Sequence, residues 1–187
     1  MNYENITDLK ASFADGSENP SGIAELAYLI PLSWFEDIKT PAAPNTTAAG
    51  IVTITGNHIL KSGKTPIEVN PLFEKSGAAS SLEGEILSKI YKSTVELFIP
   101  QATAQNIGTV TALKNYRFMI LFRRPDQEVG FIQLGSKTMG VYVDAVDANF
   151  GTGPTGEPGI KITVGGYNKA PYYYYEGELP AAAAPGG

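Results

Sequence analysis

The sequence contains no cysteine and a single histidine, His58. The lack of cysteine excludes disulfide bonds, thiolate nucleophiles and cysteine-bound zinc. Because the chain has no second histidine, His58 cannot be part of a metal site with two histidine ligands. The preceding residue, Asn57, indicates a turn. We therefore place His58 in a turn or at a strand edge. An imidazole that acts as a base or a metal ligand is the alternative.

Basic charge is scarce as well, with a formal net charge of −5 and a sequence pI of about 4.9. Specific nucleic-acid binding would need a basic surface, so the composition disfavours it. Residues 61–124 contain nine basic and five acidic residues. Residues 1–60 contain two basic and seven acidic residues, and residues 125–187 contain three basic and seven acidic residues. A basic middle between acidic flanks would let copies of the chain attract one another head to tail. Ordinary variation in composition is the alternative explanation.

The sequence also lacks an apolar run long enough to cross a membrane. The longest candidate, Ile23–Phe35, is interrupted by Glu25, Pro31 and Ser33, whereas a membrane-spanning helix needs about 20 apolar residues. Met1–Gly22 lacks the basic start and the apolar run of a secretory signal. We expect a soluble protein that is made in the cytoplasm unless another system exports it.

Glycine and proline, by contrast, are abundant, with 20 and 13 residues. This excess has no collagen repeat, so it indicates many turns and therefore many short strands. Strand-like segments recur about every ten residues, and one segment, Ala102–Asn115, has a helical pattern. The expected fold is mainly β. It is a β-sandwich or barrel with one short α-helix and a long hairpin, Pro66–Pro100, whose tip we place at Ser76–Ser81.

The segments along the chain are predicted to differ in role. We expect residues 1–49 to form an N-terminal arm and linker, residues 50–178 the β-sandwich domain, and residues 179–187 a disordered tail. Within the first segment, Ile23–Ile38 has the composition of a buried strand, because an internal proline argues against one continuous helix. Tyr116–Phe122 is almost entirely apolar and predicts a strand buried on both faces.

Two acidic pairs could carry chemistry. Glu83 and Glu85 would share a strand face, and paired carboxylates across a cleft hydrolyse glycosides, although Ser and Gly neighbours favour an exposed hairpin. Asp144 and Asp147 precede a Gly-rich surface loop, 149–159, and could bind calcium, but their spacing does not match an EF-hand. That loop lacks the Lys-Ser/Thr and the following helix of a phosphate-binding motif. We therefore expect no catalytic, cofactor or metal residues, and a protein that is not an enzyme.

Four consecutive tyrosines, Tyr172–Tyr175, lie in the last predicted strand, Pro171–Gly177. Because alternate side chains of a strand point to opposite faces, two rings should face the core and two the surface. Stacking on bases or sugars is the alternative use. A carbohydrate-binding module would use Trp34 with Tyr173 and Tyr175, but the apolar segment around Trp34 favours a place in the core.

The order of elements over residues 50–178 resembles that of bacteriophage tail tube (major tail) proteins and of the related tubes of contractile injection systems. In these families a sandwich strand is followed by a long hairpin, here Pro66–Pro100, then a helix, here Ala102–Asn115, and a packed run of strands. Two stretches strengthen the resemblance: YRFMILFRRPDQEVGFIQLG at Tyr116–Gly135 and IKITVGGYNKAPYYYYEG at Ile160–Gly177. The resemblance does not explain the arm or the tail.

The resemblance implies a virion structural protein, a tail tube subunit that forms stacked hexameric rings around a DNA-conducting lumen. Its partners would be copies of itself and other phage tail proteins, with transient, non-specific passage of DNA and no membrane. It would be assembled in the host cytoplasm and reside in the phage tail. An acidic lumen would repel the phosphates and let the genome slide.

The predicted contacts between copies are four large apolar residues of the hairpin, namely Phe73, Leu82, Ile86 and Ile90. Two alternatives remain open. One is another phage structural role, in capsid decoration or in head–tail or tail completion. The other is the carbohydrate-binding β-sandwich module.

Overall fold

The computed structural model describes Leu9, residues 20–43 and residues 47–182. Residues 1–8, 10–19 and 44–46 of the predicted arm and linker lie outside the described residues, as do residues 183–187 of the predicted tail. The described chain is mainly β, with 41% strand and 10% helical residues. This confirms the expected sandwich-like fold with one short α-helix.

Thirteen strands and one α-helix make up the described chain. In chain order they are β1 (Ala27–Pro31), β2 (Phe35–Asp37), β3 (Thr53–Ile54), β4 (Ile59–Leu60), β5 (Ile67–Val69), β6 (Gly77–Glu83), β7 (Ile90–Pro100), α1 (Ala104–Leu113), β8 (Phe118–Phe122), β9 (Phe131–Leu134), β10 (Tyr142–Asn149), β11 (Gly159–Asn168), β12 (Tyr173–Tyr175) and β13 (Ala181–Ala182).

A six-stranded sheet forms the middle of the molecule, in the order β3-β12-β9-β8-β1-β5. Two of its inner strands, β1 and β8, consist of apolar residues and are buried along their whole length, as expected for strands covered on both faces. This confirms the prediction for Tyr116–Phe122 and the buried strand predicted within Ile23–Ile38. Because β1 lies between β5 and β8, the sandwich includes residues well before the predicted boundary at residue 50.

A four-stranded antiparallel sheet, β10-β11-β7-β6, packs on one face of the six-stranded sheet. Apolar side chains alternate along its two long inner strands, with Val95 and Leu97 on β7 and Ile162 and Val164 on β11. These side chains meet the alternate residues of β1, β8 and β9 in an aliphatic layer, which we call the first core. Apolar residues recur at every second position of these strands, so one face of each strand is buried and the other is not.

A small three-stranded sheet, β13-β4-β2, lies on the opposite side of the six-stranded sheet. Its apolar residues contact the other set of alternate side chains, including Met119, Leu121 and Tyr175, in what we call the second core. The pairing of β13 with β4 places Ala181 and Ala182 in a sheet, although they fall within the tail predicted as disordered. Parallel backbone pairing needs no particular side chain, so the composition of this segment did not reveal it.

The single helix, α1, closes one side of the first core with Val110 and Leu113. Its start is capped by Thr103, whose hydroxyl accepts a hydrogen bond from the backbone N–H of Asn106 at 3.2 Å. A threonine cap of this kind satisfies one of the free N–H groups of the first turn. The helix predicted at Ala102–Asn115 is confirmed.

The long hairpin is formed by β6 and β7, but its tip differs from the prediction. Ser76–Ser81 was predicted as the tip, whereas most of this segment is strand β6 and the turn comprises residues 84–89. Gly84 begins the turn with a positive φ of 101°, and a Cβ there would collide with the backbone carbonyl of Ser88. Small side chains can pair as an edge strand through their backbone alone, so their composition misled the prediction.

Candidate functional site

The four-stranded sheet has one face in the first core and one face in solvent. Along each strand, the residues that alternate with the core-facing residues lie on the exposed face. Strand by strand these are Gly77, Ala79, Ser81 and Glu83 on β6, Lys92, Thr94, Glu96 and Phe98 on β7, Lys161, Thr163, Gly165 and Tyr167 on β11, and Tyr142, Ala145, Asp147 and Asn149 on β10.

The exposed face is weakly acidic. Its lysine Lys161 forms an ion pair with Glu96 on the neighbouring strand at 2.9 Å. Asp144, at a bulge between Val143 and Ala145, also lies over this face, because its carboxylate occupies the space that a Cβ on Gly165 would need. With Asp144 included, the face has four carboxylates and two lysines, hence two more negative than positive charges.

Both edges of this sheet are open along their length. In the part of the chain that the structure describes, β6 pairs only with β7 and β10 pairs only with β11. Edge strands usually carry lysine, proline or a bulge that prevents pairing with other chains. The seven-residue β6, GAASSLE, has none of these, and its side chains are small up to Leu82. The eight-residue β10 has one bulge, near its start.

The hairpin tip presents large apolar side chains to solvent. Ile86 is 85% exposed and Leu87 is fully exposed, while Leu82 beside them is 53% exposed. Leu87 also has a φ of 68°, a left-handed conformation that costs a residue with a Cβ about 1 kcal/mol or more. Sequence reasoning missed Leu87, although it adjoins the predicted contact residue Ile86.

The four predicted contact residues do not form one patch. Leu82 and Ile86 lie at the hairpin tip, and Ile90 is half-buried where β7 begins. Phe73 lies in a 3-10 turn, Phe73–Lys75, before the hairpin, and its ring contacts the backbone at Gly22. The structure thus brings Leu82 and Ile86 together and separates them from Phe73.

A shallow groove of about 720 Å³ lies between the exposed face and a second wall formed by Arg117 and Thr138–Gly140. Tyr142 and Tyr167, each about half exposed, lie on adjacent strands, and Gly165 and Gly166 form part of its lining. Lys92 also lines the groove. Aromatic rings beside a flat backbone surface can stack on planar or sugar rings.

The members of the two acidic pairs lie at different places in and beside the four-stranded sheet. Glu83 ends β6 and accepts a hydrogen bond from the Tyr167 hydroxyl at 3.3 Å, whereas Glu85 lies in the turn. Asp144 and Asp147 lie on β10, with Asp144 in the groove. Among the described residues, no three His, Asp or Glu side chains converge as metal ligands would.

His58 is buried rather than exposed at a turn or edge. It lies in the short connection between β3 and β4, its Nδ1 accepts the backbone N–H of Lys39 at 3.0 Å, and its ring stacks on Tyr175 at 4.3 Å. Nε2 therefore carries the proton and donates it to Gln133 Oε1 at 2.8 Å. Burial lowers the pKa of His58 below its ordinary value, against a smaller opposite effect from Gln133. With both ring nitrogens used, the imidazole is a structural element of the second core.

The tyrosine run follows the predicted alternation only in part, because three of its four rings contact a core. Tyr173 and Tyr175 are buried in the second core, Tyr174 is about half exposed, and Tyr172 packs partly buried against the first core. Tyr173 and Tyr175 are therefore not accessible to a carbohydrate. Trp34, predicted in the core, lies half-buried in a 3-10 turn with the Lys64 ammonium 5.2 Å from its ring centre.

A second cavity, of about 580 Å³, lies beside the second core. Its apolar lining includes Ile51, Val52, Ile54 and Met139. We call it the lysine cleft, because three lysines, Lys39, Lys137 and Lys169, are the only charged residues among the described residues that line it.

Comparisons with protein-family models, curated proteins and solved structures found no match to this chain. No helix in the described part of the chain is long and apolar enough to span a membrane.

Proposed function

We propose that this chain is a structural subunit that assembles with copies of itself through the edges of its four-stranded sheet. The observation that carries the proposal is the pair of open edges, β6 and β10, on one sheet. Edge β6 has no lysine, proline or bulge, which are the usual features that prevent pairing between chains. Pairing β6 of one copy with β10 of the next would satisfy both rows of free backbone groups.

The strand order allows such a sheet to continue without a break. The four strands alternate in direction, so the two edges run in opposite directions. Copies related by rotation about an axis along the strands would keep these directions, and β6 would meet β10 of the next copy antiparallel. Six copies would give a closed wall roughly 37 Å across between backbones, at about 4.8 Å per strand and without tilt.

The exposed face would then line the lumen. Its excess of carboxylates over lysines suits a channel for nucleic acid, because repulsion of phosphates prevents the tight binding that a basic lining would cause. On this basis we propose a bacteriophage tail tube subunit, in stacked hexameric rings that conduct DNA. The subunit would reside in the virion, with other tail proteins as further partners. It needs no cofactor and no catalytic residue.

Electron microscopy of negatively stained, concentrated protein tests this proposal. We expect rings or hollow tubes. The matched variants are Ala78→Pro and Ala79→Pro on β6, because successive N–H groups of a strand point alternately towards β7 and away from it. One of the two prolines removes a backbone N–H that points away from β7, so this variant should not assemble but should keep most of its stability. The other proline removes a backbone hydrogen bond between β6 and β7, so this variant should lose stability. A wild-type protein that stays monomeric, or rings formed by both variants, would contradict the proposal.

A second candidate function is carbohydrate binding at the groove, favoured by the two half-exposed rings of Tyr142 and Tyr167. It replaces the buried tyrosines of the original hypothesis with accessible ones. Binding to a glycan array that is lost in Tyr142→Ala and Tyr167→Ala, but not in Tyr174→Ala, would favour it over assembly.

A further inference from the structure

The groove beside the four-stranded sheet differs in charge from the exposed face of that sheet. Two cationic side chains, Lys92 and Arg117, and one carboxylate, that of Asp144, line the groove, so its lining has one more positive than negative charge. The exposed face as a whole has two more negative than positive charges. Neither Lys92 nor Arg117 forms an ion pair with any residue that the structure describes. This lining suits a ligand with one anionic group and several neutral polar groups.

Arg117 is held in place on the wall opposite the sheet. Its Nη2 donates a hydrogen bond to the backbone carbonyl of Thr138 at 3.3 Å. Its side chain also lies along Gly140, where a Cβ would be 3.3 Å from Arg117 Cβ and 3.4 Å from Arg117 Nε. A guanidinium has five N–H donors, so this contact leaves donors available. Two of them can bind both oxygens of one carboxylate side by side, which an ammonium group cannot do.

The sheet side of the groove provides two aromatic rings. Tyr142 pairs with Gly165 across β10 and β11, and Tyr167 lies two residues beyond Gly165 on the same face of β11. Diagonal neighbours of this kind have Cα atoms about 7–8 Å apart. The Tyr167 hydroxyl donates to Glu83 at 3.3 Å, which fixes the position of its ring. Because Gly165 has no side chain, the two half-exposed rings stand above the floor of the groove, and their apolar surfaces can pack on a sugar ring.

Asp144 supplies a hydrogen-bond acceptor on this floor. It lies at the bulge between Val143 and Ala145, and its carboxylate occupies the space that a Cβ on Gly165 would need. It forms no ion pair with any described residue. An ionised carboxylate can only accept hydrogen bonds, so it can bind the hydroxyl groups of a sugar but repels a second carboxylate. The groove thus has its acceptor on the sheet and its guanidinium donors on the opposite wall.

We propose that the groove binds a sugar that carries a carboxylate, of the uronic acid class. The inference rests on the second candidate function, carbohydrate binding, and names the class of sugar, whereas it does not depend on pairing between copies. The sugar carboxylate would bind Arg117, with Lys92 adding attraction. The ring hydroxyls would donate to Asp144, and the sugar ring would pack on Tyr142 and Tyr167. The groove volume of about 720 Å³ lies within the range of about 300–1,000 Å³ that is usual for ligand sites.

Two probes that differ in a single group test the class of sugar. Methyl β-D-glucuronide has a carboxylate where methyl β-D-glucoside has a hydroxymethyl group, and the two molecules are otherwise the same. Each is titrated against the full chain at low salt, and saturation-transfer difference NMR, observed on the sugar, gives its Kd. We expect the glucuronide to bind about tenfold more tightly, because hydrogen bonds to charged partners are the stronger ones. Added salt should reduce this preference.

Substitutions locate the preference in the groove. Arg117→Gln should remove it, so that the glucuronide binds about tenfold more weakly than to the unchanged chain and the glucoside binds as before. Arg117→Lys keeps the charge but not the paired donors, and should restore only part of the preference. Tyr142→Ala should weaken the binding of both sugars. The matched control, Lys161→Gln, changes a lysine of the same sheet face that does not line the groove, and should leave both Kd values unchanged.

The outcomes separate this inference from the functions on which the article has already argued. Equal Kd values for the two sugars, or a preference that survives Arg117→Gln, would overturn the inference and leave carbohydrate binding intact. Binding of neither sugar would overturn both the inference and carbohydrate binding. Self-assembly is independent of these results, because electron microscopy of the same samples tests it directly.

Discussion

The two cores of the molecule, one on each face of the six-stranded sheet, are held together by different physical means. The first core is largely aliphatic, with Val95, Leu97 and Ile162 among its buried residues. The second core is aromatic and contains a buried hydrogen-bonded chain that includes His58 and Gln133. Burial of apolar area is non-directional, whereas a buried polar group requires its partner in place. The first core should therefore tolerate changes that the second does not.

The largest expected effect follows from Tyr175, which joins several contacts of the second core. Its hydroxyl accepts the backbone N–H of His58 at 3.0 Å and donates to the carbonyl of Glu178 at 2.7 Å. Tyr175→Ala should lower the free energy of unfolding by about 3–5 kcal/mol through lost burial and a cavity. Denaturant unfolding measures this change. The matched control, Tyr174→Ala, should cost less than about 0.5 kcal/mol, and similar losses for both would disprove the assignment.

A substitution of similar volume separates the two cores more sharply. Gln133→Met removes the partner of His58 Nε2 and the donor to the carbonyl of Gly135, which lies at 2.9 Å from Gln133 Nε2. The unsatisfied groups should cost about 1–3 kcal/mol. Leu97→Met in the first core conserves volume and leaves no polar group unpaired, so it should cost less than about 1.5 kcal/mol. If the two variants lose the same free energy of unfolding in urea, the hydrogen bonds of Gln133 do not contribute to the stability of the second core.

The smallest expected effect is a pH dependence that belongs to the second core alone. Burial holds the pKa of His58 below its ordinary value of 6.5, so the unfolded chain binds a proton that the folded chain does not. Stability from this group is complete above pH 6.5 and is lost as pH falls towards the folded pKa. The slope should reach at most about 1.4 kcal/mol per pH unit. Unfolding curves at about pH 7.5, 6.5 and 5.5 measure this slope.

The control for the pH prediction is His58→Gln, which has no titrating imidazole. It should be less stable than the unchanged chain at pH 7.5, because the ring no longer stacks on Tyr175. In this variant the free energy of unfolding should no longer fall between about pH 6.5 and 5.5 by the amount that His58 contributes. A slope retained in the variant would assign the dependence to another group.

The difference between the cores also explains which parts of the fold the sequence predicted. The apolar run at β8 and the alternation within Tyr173–Tyr175 are local patterns, and both agree with which side chains are buried. Tyr172 departs from the alternation because it packs against the first core. The helix was predicted because its apolar spacing and the proline before it are local signals as well. The burial of His58 was not predicted, because its partners Gln133 and Tyr175 are 75 and 117 residues away.

The candidate site was predicted in part for the same reason. Hydrophobicity alone singled out Leu82 and Ile86, which the structure places at an exposed tip. It could not reveal that Gly77–Ser81 pairs with β7 or that, among the described residues, no strand pairs with either edge of the sheet, because those properties depend on the backbone. The lysine cleft was also missed, since Lys39, Lys137 and Lys169 are far apart in the sequence and the fold alone brings them together.

Leu87 at the hairpin tip has a left-handed backbone conformation, which lowers the stability of the fold and serves no contact among the described residues. Glycine adopts a positive φ without steric cost and would suit the turn better than Leu87. A fully exposed leucine gains nothing from burial in the chain as described. The fold is therefore less stable at this position than its backbone would allow. This is the trade-off expected where a side chain serves a contact that forms only after folding.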